Sequence, residues 1–470
     1  MEPSKLYEGS KISVPHFLTV AEQKDRTRTR ISLPVMSDAG IKNLALTEQD
    51  LSKHILLLGG IGSGKTNLIN LLVSQIITDL TEEDVVVIFD TKGDFLQKFA
   101  QPGDIVFGNL TNLPNGVECA KWNIFKDVMI DPTRVSENLL EVCKSLFLER
   151  SLHNTNPFFP NAARDLLYGY MLAKIRDNNI AELNNQSLAH YFQNLNIENL
   201  RTILKSHDDL KSCVYYIEGT NLQTQGVISE VVQLVREIFV DQFAKNGTTS
   251  IREEVRRKNK KIFIEYDLGL GNMLTPVYRI LLDMVIKEAL CRDSDRGNVY
   301  VIIDEFSLLP NLQHISDGVN FGRELGIKFL IGLQNMDQLY TAYGEHAAGS
   351  ILAGFNTRFF FKVNDSVSRS YVKDLLGHNR IITRFEPADR SSGLREDITI
   401  GDVLEDWVYE KLPVGAAVYY QNGKKAEIIG LPEFQGHGKP PINNFVVCNV
   451  PKRSSNNATE KPVPGFKRLI

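Results

Sequence analysis

The sequence predicts an α/β protein with a central, mostly parallel sheet and an inserted all-helical domain. Three observations favour this fold class. Short apolar runs alternate with helical patterns in the first and last thirds of the chain, a glycine-rich turn joins one such run to a helix, and residues 131–243 show helical patterns alone. Uninterrupted apolar runs are typical of parallel strands, because helices cover both faces of a parallel sheet.

Composition limits the class of protein further. A chain of 470 residues is expected to hold two or three domains. Its net charge is −4, so any contact with DNA must come from local basic patches. Five scattered cysteines without a C-x-x-C pair favour a reducing compartment and argue against a zinc site. No apolar run reaches the ~18 residues of a membrane span. We therefore expect a cytoplasmic protein; if it works at a membrane, another protein must hold it there.

The glycine-rich turn at residues 59–66 has the pattern G-x-x-x-x-G-K-[ST] of a phosphate-binding P-loop. The apolar run 55–58 before it predicts a strand, and residues 67–77 after it have helical spacing. Successive backbone N–H groups and the helix N-terminus would then surround a phosphate; the alternative is a plain glycine-rich turn. The predicted nucleotide-binding residues are Gly59, Gly60, Ile61, Gly62, Ser63, Gly64, Lys65, Thr66 and Asn67.

The P-loop pattern predicts one role for Lys65 and another for Thr66, with ATP and Mg²⁺ as the bound groups. Lys65 is predicted to be catalytic, since its ammonium would reach the β- and γ-phosphates of ATP. Thr66 is predicted to bind Mg²⁺ through its hydroxyl.

An acidic pair marks the end of a second predicted strand. The apolar run 299–303 is followed directly by Asp304 and Glu305. Two buried acids are costly unless a cation faces them, which favours a place beside Mg²⁺ and phosphate. Asp304 is predicted to bind the metal, and Glu305 to orient and deprotonate the attacking water. The alternative is a strand that runs out into solvent.

Two further residues are predicted to act in catalysis. Gln334 follows the predicted strand 329–333 and would reach the γ-phosphate. Arg323 is placed on the helix after the acidic pair, where it could stabilise charge in the transition state. The alternative for Arg323 is a surface salt bridge with Glu324 or another neighbour.

Apolar and β-branched runs predict the remaining strands. Residues 1–50 predict an N-terminal flap or short strands, with a basic run at 24–30 that is either a solvated loop or a DNA contact. Further strands are predicted at 85–89, 262–266 and 358–362, with a closing hairpin of 418–421 and 427–430. Asn422-Gly423 favours a two-residue turn in that hairpin. Thr275 and Pro276 predict the N-cap and first residue of a helix that ends near Leu290.

Helical spacing dominates the middle of the chain. Helices are predicted at 135–150, 160–177, 187–194, 197–206 and 224–243. The last shows the clearest apolar stripe, which we interpret as core rather than as a partner-binding face. The stripe consists of Val227, Ile228, Val231, Val232, Val235, Ile238 and Phe239. This all-helical insertion accounts for the large separation of Thr66 from Asp304.

The order of motifs resembles one family closely. Along the chain these are 59–66, Asp90–Gly93, Trp122–Phe125, Asn156–Phe159, Gln223–Gly226, Asp304–Phe306, Leu309-Pro310, Gly322–Gly326, Gln334, Leu339 and Tyr343-Gly344. Residues 30–435 thereby resemble the coupling proteins of bacterial conjugation and type IV secretion, the TraD/TraG-like branch of the FtsK/HerA motor ATPases.

The resemblance implies an architecture. We expect a RecA-like P-loop NTPase domain formed by 1–130 and 244–435, an all-α domain at 131–243, and a flexible tail at 436–470. Six subunits would form a homo-hexameric ring around DNA, and Arg323 of one subunit would complete the site of the next. Typical coupling proteins begin with membrane-spanning helices, whereas we expect no direct membrane span here.

The resemblance also implies a function. The leading hypothesis is a DNA-stimulated ATPase, a soluble coupling protein that translocates DNA or nucleoprotein to a type IV secretion channel. Its partners would be DNA, bound without sequence preference, channel components, and a relaxase or secreted effector at the all-α domain. One alternative is a HerA-like cytosolic motor for DNA processing or phage defence; another is a substrate-recruiting adaptor whose assembly ATP orders. The densest basic stretch, 252–261, would line the ring or form a solvated loop.

Overall fold

The computed structural model describes residues 6–7, 28–109, 113–219, 221–291, 297–385 and 395–445. It separates into two compact units. The first contains Met1–Ile76, Gly332–Thr341 and Phe355–Ile470, and the second contains Ile77–Ile331 and Ala342–Gly354. The basic run at 24–27 and the tail from 446 lie outside the described residues.

The strands alternate with helices along most of the chain. In chain order the described strands are β1 (Leu6–Tyr7), β2 (Thr29–Ser37), β3 (Gly40–Thr47), β4 (Ile55–Leu58), β5 (Val85–Asp90), β6 (Ile105–Phe107), β7 (Lys260–Glu265), β8 (Val299–Ile303), β9 (Ile327–Leu333), β10 (Thr357–Phe360), β11 (His378–Phe385), β12 (Arg395–Asp402), β13 (Ala416–Gln421) and β14 (Glu427–Gly430).

Helices of very different lengths connect these strands. The described α-helices are α1 (Glu48–Ser52), α2 (Lys65–Thr78), α3 (Asp94–Phe99), α4 (Ile124–Met129), α5 (Val135–His153), α6 (Phe158–Asp177), α7 (Asn185–Gln193), α8 (Ile197–Lys205), α9 (Lys211–Val214), α10 (Leu222–Ile238), α11 (Ile251–Arg257), α12 (Gly271–Leu290), α13 (Ile315–Phe321), α14 (Met336–Tyr343), α15 (Glu345–Ala353), α16 (Ser366–Leu376) and α17 (Asp406–Lys411). None of them is both long and apolar enough to cross a membrane.

In the first unit, strands run in the order β3-β2-β14-β13-β10-β4. The pairing is antiparallel from β3 to β10, and β10 then pairs in parallel with β4. All four residues of β4 are buried, as expected for a strand covered on both faces. This arrangement places the P-loop, which follows Leu58, at the carboxyl end of a buried parallel strand.

In the second unit, the order is β9-β8-β5-β7-β6, and every pair is parallel. The carboxyl ends of β8, β5 and β7 therefore lie side by side. Open α/β sheets bind their ligands at this end of their strands. The prediction of an α/β fold with a mostly parallel sheet is confirmed.

The second unit also contains the helical region. Every described element from α5 to α10 is helical, and α6 packs on both α5 and α10. The predicted stripe on α10 is mostly core: Val227, Val231, Val235 and Ile238 are buried. The division of the chain into a nucleotide domain (1–130 and 244–435) and a helical domain (131–243) remains a proposal.

Two local predictions are wrong. Helix α12 begins at Gly271, so Pro276 lies inside the helix and the Thr275 hydroxyl donates to the Gly271 carbonyl at 2.9 Å instead of capping. The β13–β14 hairpin has a longer connection, since Tyr419 is the last residue to pair, with Glu427. Of its predicted turn residues Gly423 alone has positive φ, at 80°, whereas a two-residue type I′ turn needs positive φ at both.

Candidate nucleotide site

The P-loop backbone in the first unit requires glycine at defined positions. Gly62 and Gly64 have φ of 72° and 109°, which side chains rarely tolerate. At Gly59 an added Cβ would lie 2.5 Å from the Phe361 Cβ, so only glycine permits this approach. The turn therefore keeps its shape through backbone conformation, which lets N–H groups after Gly60 face a ligand.

Lys65 is the first residue of α2, and its side chain is almost fully buried. Its Nζ donates to the Gly59 carbonyl and, at 3.2 Å, to the Gly60 carbonyl. The Lys65 ammonium thus lies across the P-loop and is hydrogen-bonded to the backbone at the start of this loop. Phosphate oxygens are stronger acceptors for an ammonium than neutral carbonyls are, because the hydrogen bond is then charge-assisted at both ends.

The donor set fits a nucleotide phosphate and its metal. The first N–H groups of a helix have no acceptor within the helix, so the start of α2 supplies donors and positive potential. The Ser63 hydroxyl is buried and has no hydrogen-bond partner within the described part of the chain. Thr66 would hold Mg²⁺, which prefers oxygen ligands. These residues accommodate a triphosphate with Mg²⁺.

Neighbouring segments of the first unit brace this loop. The Gly60 N–H donates to the Lys362 carbonyl at 2.8 Å, and the Gly415 N–H donates to the Ser63 carbonyl at 3.2 Å. These partners are not predictable from sequence, because they are remote along the chain and contribute only backbone atoms.

Asn67 uses its side chain for bracing. The amide donates to the Pro432 carbonyl at 2.8 Å and accepts from the Phe434 N–H at 2.9 Å. Its predicted contribution to nucleotide binding is therefore restricted to the backbone N–H. Ile61, in contrast, is 86% exposed.

Gln334 adjoins the P-loop. The Gly59 N–H donates to the carbonyl of Leu333, the residue immediately before Gln334, at 3.1 Å. The Gln334 side chain is half-buried and makes no hydrogen bond to the described residues. An uncommitted amide beside the loop suits the predicted contact with the γ-phosphate.

Asp304 and Glu305 lie in the second unit, directly after the buried strand β8. They are only 7% and 8% exposed, which does not fit a strand that runs out into solvent. The Ser307 hydroxyl donates to Glu305 Oε1 at 2.5 Å and orients that carboxylate. A buried acidic pair at the carboxyl end of a central parallel strand is suited to hold a cation and a water.

Arg323 was predicted on a helix, but it lies in the turn between Phe321, where α13 ends, and Ile327, where β9 begins. It is exposed and forms no ion pair with any described residue, so the alternative of a salt bridge with Glu324 is wrong. Ile327 pairs with Val299 at the start of β8. Arg323 thus lies near the amino ends of β8 and β9, whereas Asp304 lies at the carboxyl end of β8. The two are roughly 16 Å apart along the five residues of β8.

A second acidic pair was missed. Asp90 and Glu265 are paired neighbours at the carboxyl ends of β5 and β7, and both are buried. The Asp90 carboxylate accepts from the N–H groups of Lys92, Phe95 and Leu96. Glu265 Oε1 has no partner among the described residues, and burial together with Asp90 raises the pKa of Glu265 to about 9. The signal was present, since each acid ends an apolar run.

The basic stretch 252–261 is not a solvated loop, since it lies in α11 and the start of β7. Five of its six cations form ion pairs within the second unit. Arg252, which is fully buried, and Arg256 both bind Asp131 and Glu288. Of the others, Arg257 pairs with Glu253 and Glu254, Lys258 with Glu83, and Lys261 with Asp104. The counter-charges are remote in sequence, which hid this network.

Taken by unit, the predicted site residues fall into two groups. The P-loop, Asn67 and Gln334 belong to the first unit, and Asp304, Glu305 and Arg323 belong to the second. The fold and the P-loop define the class of protein as a RecA-like P-loop NTPase.

Comparison with known proteins identifies the family within this class. Residues 39–399 match the family described as the type IV secretion-system coupling protein DNA-binding domain. The chain belongs to this family, and the resemblance predicted from the order of motifs is confirmed.

A curated relative and solved structures agree with this assignment. The coupling protein TraD of Escherichia coli (strain K12) is 25% identical over 335 residues, which are 69% of this chain. The chain spans only 44% of the length of TraD. The conjugative coupling protein TrwBΔN70 matches with a TM-score of 0.69 and 18% identity, covering 88% of this chain and 90% of that one.

Two further structures show how far the fold extends. TrwB in complex with ADP and Mg²⁺ matches with a TM-score of 0.69 and 19% identity over 94% of this chain and 98% of that one. VirB4 of Thermoanaerobacter pseudethanolicus has a TM-score of 0.53 and 12% identity over 87% and 97% of the two chains. At these identities the structures show a shared fold.

Proposed function

We propose that this chain is the ATP-hydrolysing motor of a type IV secretion coupling protein, and that it translocates DNA towards the secretion channel. The P-loop carries the proposal: its glycines have the required backbone conformation, and the buried Lys65 ammonium is drawn across it. Family membership favours the coupling role over a HerA-like motor for DNA processing. TrwB in complex with ADP and Mg²⁺ supports these as the ligands.

Each residue then has a distinct task. Lys65 and the N–H groups of the loop hold the β- and γ-phosphates of ATP, and Thr66 and Asp304 provide oxygen ligands for Mg²⁺. The metal would neutralise charge on the phosphate oxygens. Glu305 takes a proton from the attacking water, and Gln334 senses the γ-phosphate.

We further propose that Arg323 acts across a subunit interface in a ring, most simply a homo-hexamer. Arg323 is exposed and forms no ion pair with described residues. It lies near the amino ends of the strands, whereas Asp304 lies at a carboxyl end. Its own subunit therefore offers it no place beside the acidic pair. An arginine supplied by a neighbour stabilises charge on the transferring phosphoryl group.

The partners follow from this function. DNA would bind without sequence preference in the ring channel, and a relaxase or a secreted effector would dock on the helical region 131–243. Secretion-channel components would hold the cytoplasmic ring at the inner membrane. Because five of the six cations in stretch 252–261 form internal ion pairs, we propose that other cations contact DNA.

The test measures ATP hydrolysis with Mg²⁺ in the absence and presence of single-stranded and double-stranded DNA. We expect DNA to stimulate turnover. Weak hydrolysis unaffected by DNA, together with tight binding of a relaxase or effector, would instead favour an adaptor whose assembly ATP orders. The Lys65→Ala variant, prepared in parallel, excludes a contaminating ATPase.

A further inference from the structure

Two helices of the second unit carry matching polar stripes. On α5 the stripe is Glu141, Ser145 and Glu149, and on α12 it is Arg279, Asp283 and Lys287. Each stripe has a spacing of four residues, which aligns its members on one face of a helix. The stripes pair in antiparallel order, because Lys287 donates to Glu141 whereas Arg279 contacts Ser145 and Glu149.

Arg279 is the centre of this arrangement. It is fully buried, and its guanidinium donates to Ser145 Oγ at 3.1 Å, to the Ser145 carbonyl at 2.5 Å and to Glu149 Oε1 at 2.7 Å. It also donates to the Pro310 carbonyl at 3.4 Å. Arg279 thus joins α5 to the segment that follows the acidic pair Asp304 and Glu305.

The segment 306–314 has further anchors. The Tyr343 ring stacks on Phe306 at 5.1 Å between centroids, and its hydroxyl donates to the Leu309 carbonyl at 2.5 Å. At the far end, the N–H of His314 donates to Asp283 Oδ1 at 3.1 Å, and its imidazole pairs with Glu141. The backbone after Glu305 is therefore fixed at several points to α12 and α5.

We propose that Arg279 is a positioning residue for Glu305, and that it makes the alignment of this acid depend on helix α5. The segment 306–314 begins one residue after Glu305, so its backbone sets where the carboxylate points. A movement of α5 would reach the segment through Ser145, Glu149 and the shared guanidinium. The inference rests on the proposed role of Glu305.

The experiment compares Arg279→Met, Arg279→Lys and a matched control, Arg252→Met. Arg252 is an equally buried arginine of the second unit with ion pairs to Asp131 and Glu288. Wild-type hydrolysis is measured first, so that an inactive wild type, which would overturn both proposals, is distinguished from a failure of this inference alone. Steady-state kinetics give kcat and KM for ATP, and thermal unfolding gives the stability of each variant.

We expect Arg279→Met to lower kcat about tenfold or more while KM and nucleotide affinity stay within about twofold. Arg279→Lys should recover part of the rate, since an ammonium keeps the charge but cannot reach all partners of the guanidinium. Arg252→Met should keep wild-type kcat at temperatures where it is folded. Hydrogen exchange should increase in both 306–314 and α5 for Arg279→Met and in neither for the control.

Two results would overturn the inference: folded Arg279→Met with wild-type kcat, or an equal loss of kcat in Arg252→Met at matched stability. If Arg279→Met fails to fold, Tyr343→Phe serves in its place. It removes the hydroxyl bonded to the Leu309 carbonyl but keeps the ring on Phe306. A smaller fall in kcat at unchanged KM supports the positioning of Glu305 by its segment, and an unchanged kcat contradicts it.

Discussion

Gly60 and Gly64 show at the residue scale how the P-loop sequence is tied to backbone conformation. Gly64 has φ of 109°, and an added Cβ would lie 3.0 Å from the Gly415 nitrogen. At Gly60 an added Cβ would meet nothing closer than the Lys362 carbonyl at 3.5 Å. The two glycines belong to the same loop, but only one of them requires glycine for its shape.

This contrast predicts unequal effects of alanine. Gly64→Ala should weaken nucleotide binding roughly tenfold or more, since backbone strain of this kind costs ~1–3 kcal/mol. Gly60→Ala should bind within a few-fold of wild type. Titration with a fluorescent ATP analogue measures both affinities, and equal losses in the two variants would contradict this account of the loop.

Removal of Lys65 and removal of Glu305, two of the charged groups assigned to catalysis, should have different effects. Lys65→Ala removes the ammonium that neutralises the β- and γ-phosphates, so both binding and turnover should be lost. Glu305→Gln keeps the size and hydrogen-bonding capacity of the side chain but removes the base, so ATP should bind and persist uncleaved. Binding and single-turnover hydrolysis are measured together. Wild-type turnover in Glu305→Gln would show that another group activates water.

At the scale of elements, the parallel pairing of β5 with β7 brings two carboxyl groups together at the carboxyl ends of these strands. Burial raises the pKa of Asp90, and three backbone N–H groups that donate to its carboxylate offset part of this rise, whereas Glu265 Oε1 has no described partner. Burial and the Asp90 charge raise the pKa of Glu265 to about 9. The strand pairing thereby keeps Glu265 neutral at pH 7.

A raised carboxyl pKa sets the sign of a pH effect. Between the ordinary value near 4.5 and about 9, the folded state keeps a proton on Glu265 that the unfolded state releases. Stability should therefore fall as pH rises through this window. Glu265→Gln removes the penalty, so its thermal midpoint should exceed that of wild type at pH 8, with the difference shrinking towards pH 5.

Glu141→Gln is the control of opposite sign. Burial opposes ionisation of Glu141, but hydrogen bonds from His314 and Lys287 outweigh burial and lower the pKa of this carboxyl. Loss of its charge should destabilise the protein at neutral pH and matter less as pH falls through the lowered pKa. A pH-independent effect of Glu265→Gln would show that Glu265 is ionised in the folded state.

At the scale of the whole molecule, the position of Arg323 argues for an assembly. The residue is exposed near the amino ends of the strands, away from Asp304, and under the proposed function it would contribute to catalysis in another copy of the chain. An interface built partly around nucleotide makes assembly depend on ATP as well as on concentration.

Mixing two inactive variants tests this assembly. Lys65→Ala and Arg323→Ala have complementary defects if the arginine acts across an interface, since mixed rings pair an intact P-loop with an intact arginine. ATP hydrolysis should then partly return after the subunits exchange. The variants must carry distinct mass labels so that mixed rings are demonstrated. Mixed rings without activity would place the role of Arg323 within its own subunit.

DNA binding should depend steeply on salt at this scale. A chain with net charge −4 can hold DNA only through local cations that displace counterions. For ~6–10 phosphate contacts, affinity should fall ~10³–10⁵-fold between about 50 and 200 mM salt, regardless of sequence. Fluorescence anisotropy with two unrelated oligonucleotides measures this. Since stretch 252–261 is engaged internally, Arg257→Ala should leave the affinity unchanged.

The sequence by itself determined the features that depend on local pattern. Apolar runs predicted β4, β5, β8 and β9, helical spacing predicted α5, α6, α7, α8 and α10, and the P-loop predicted the start of α2. These features depend on burial period and on glycine, which neighbouring residues in the chain reveal.

Only the tertiary structure decided which partners the charged and polar side chains contact and where these side chains lie in the fold. Five of the six cations of 252–261 form ion pairs with Asp131, Glu288 and other acids, and the side chain of Asn67 is hydrogen-bonded to the segment 432–434. The register of β8 with β9 placed Arg323 near the amino ends of these strands, away from Asp304. A charge acts through space on whichever partner the fold brings near, so spacing along the chain does not predict its role.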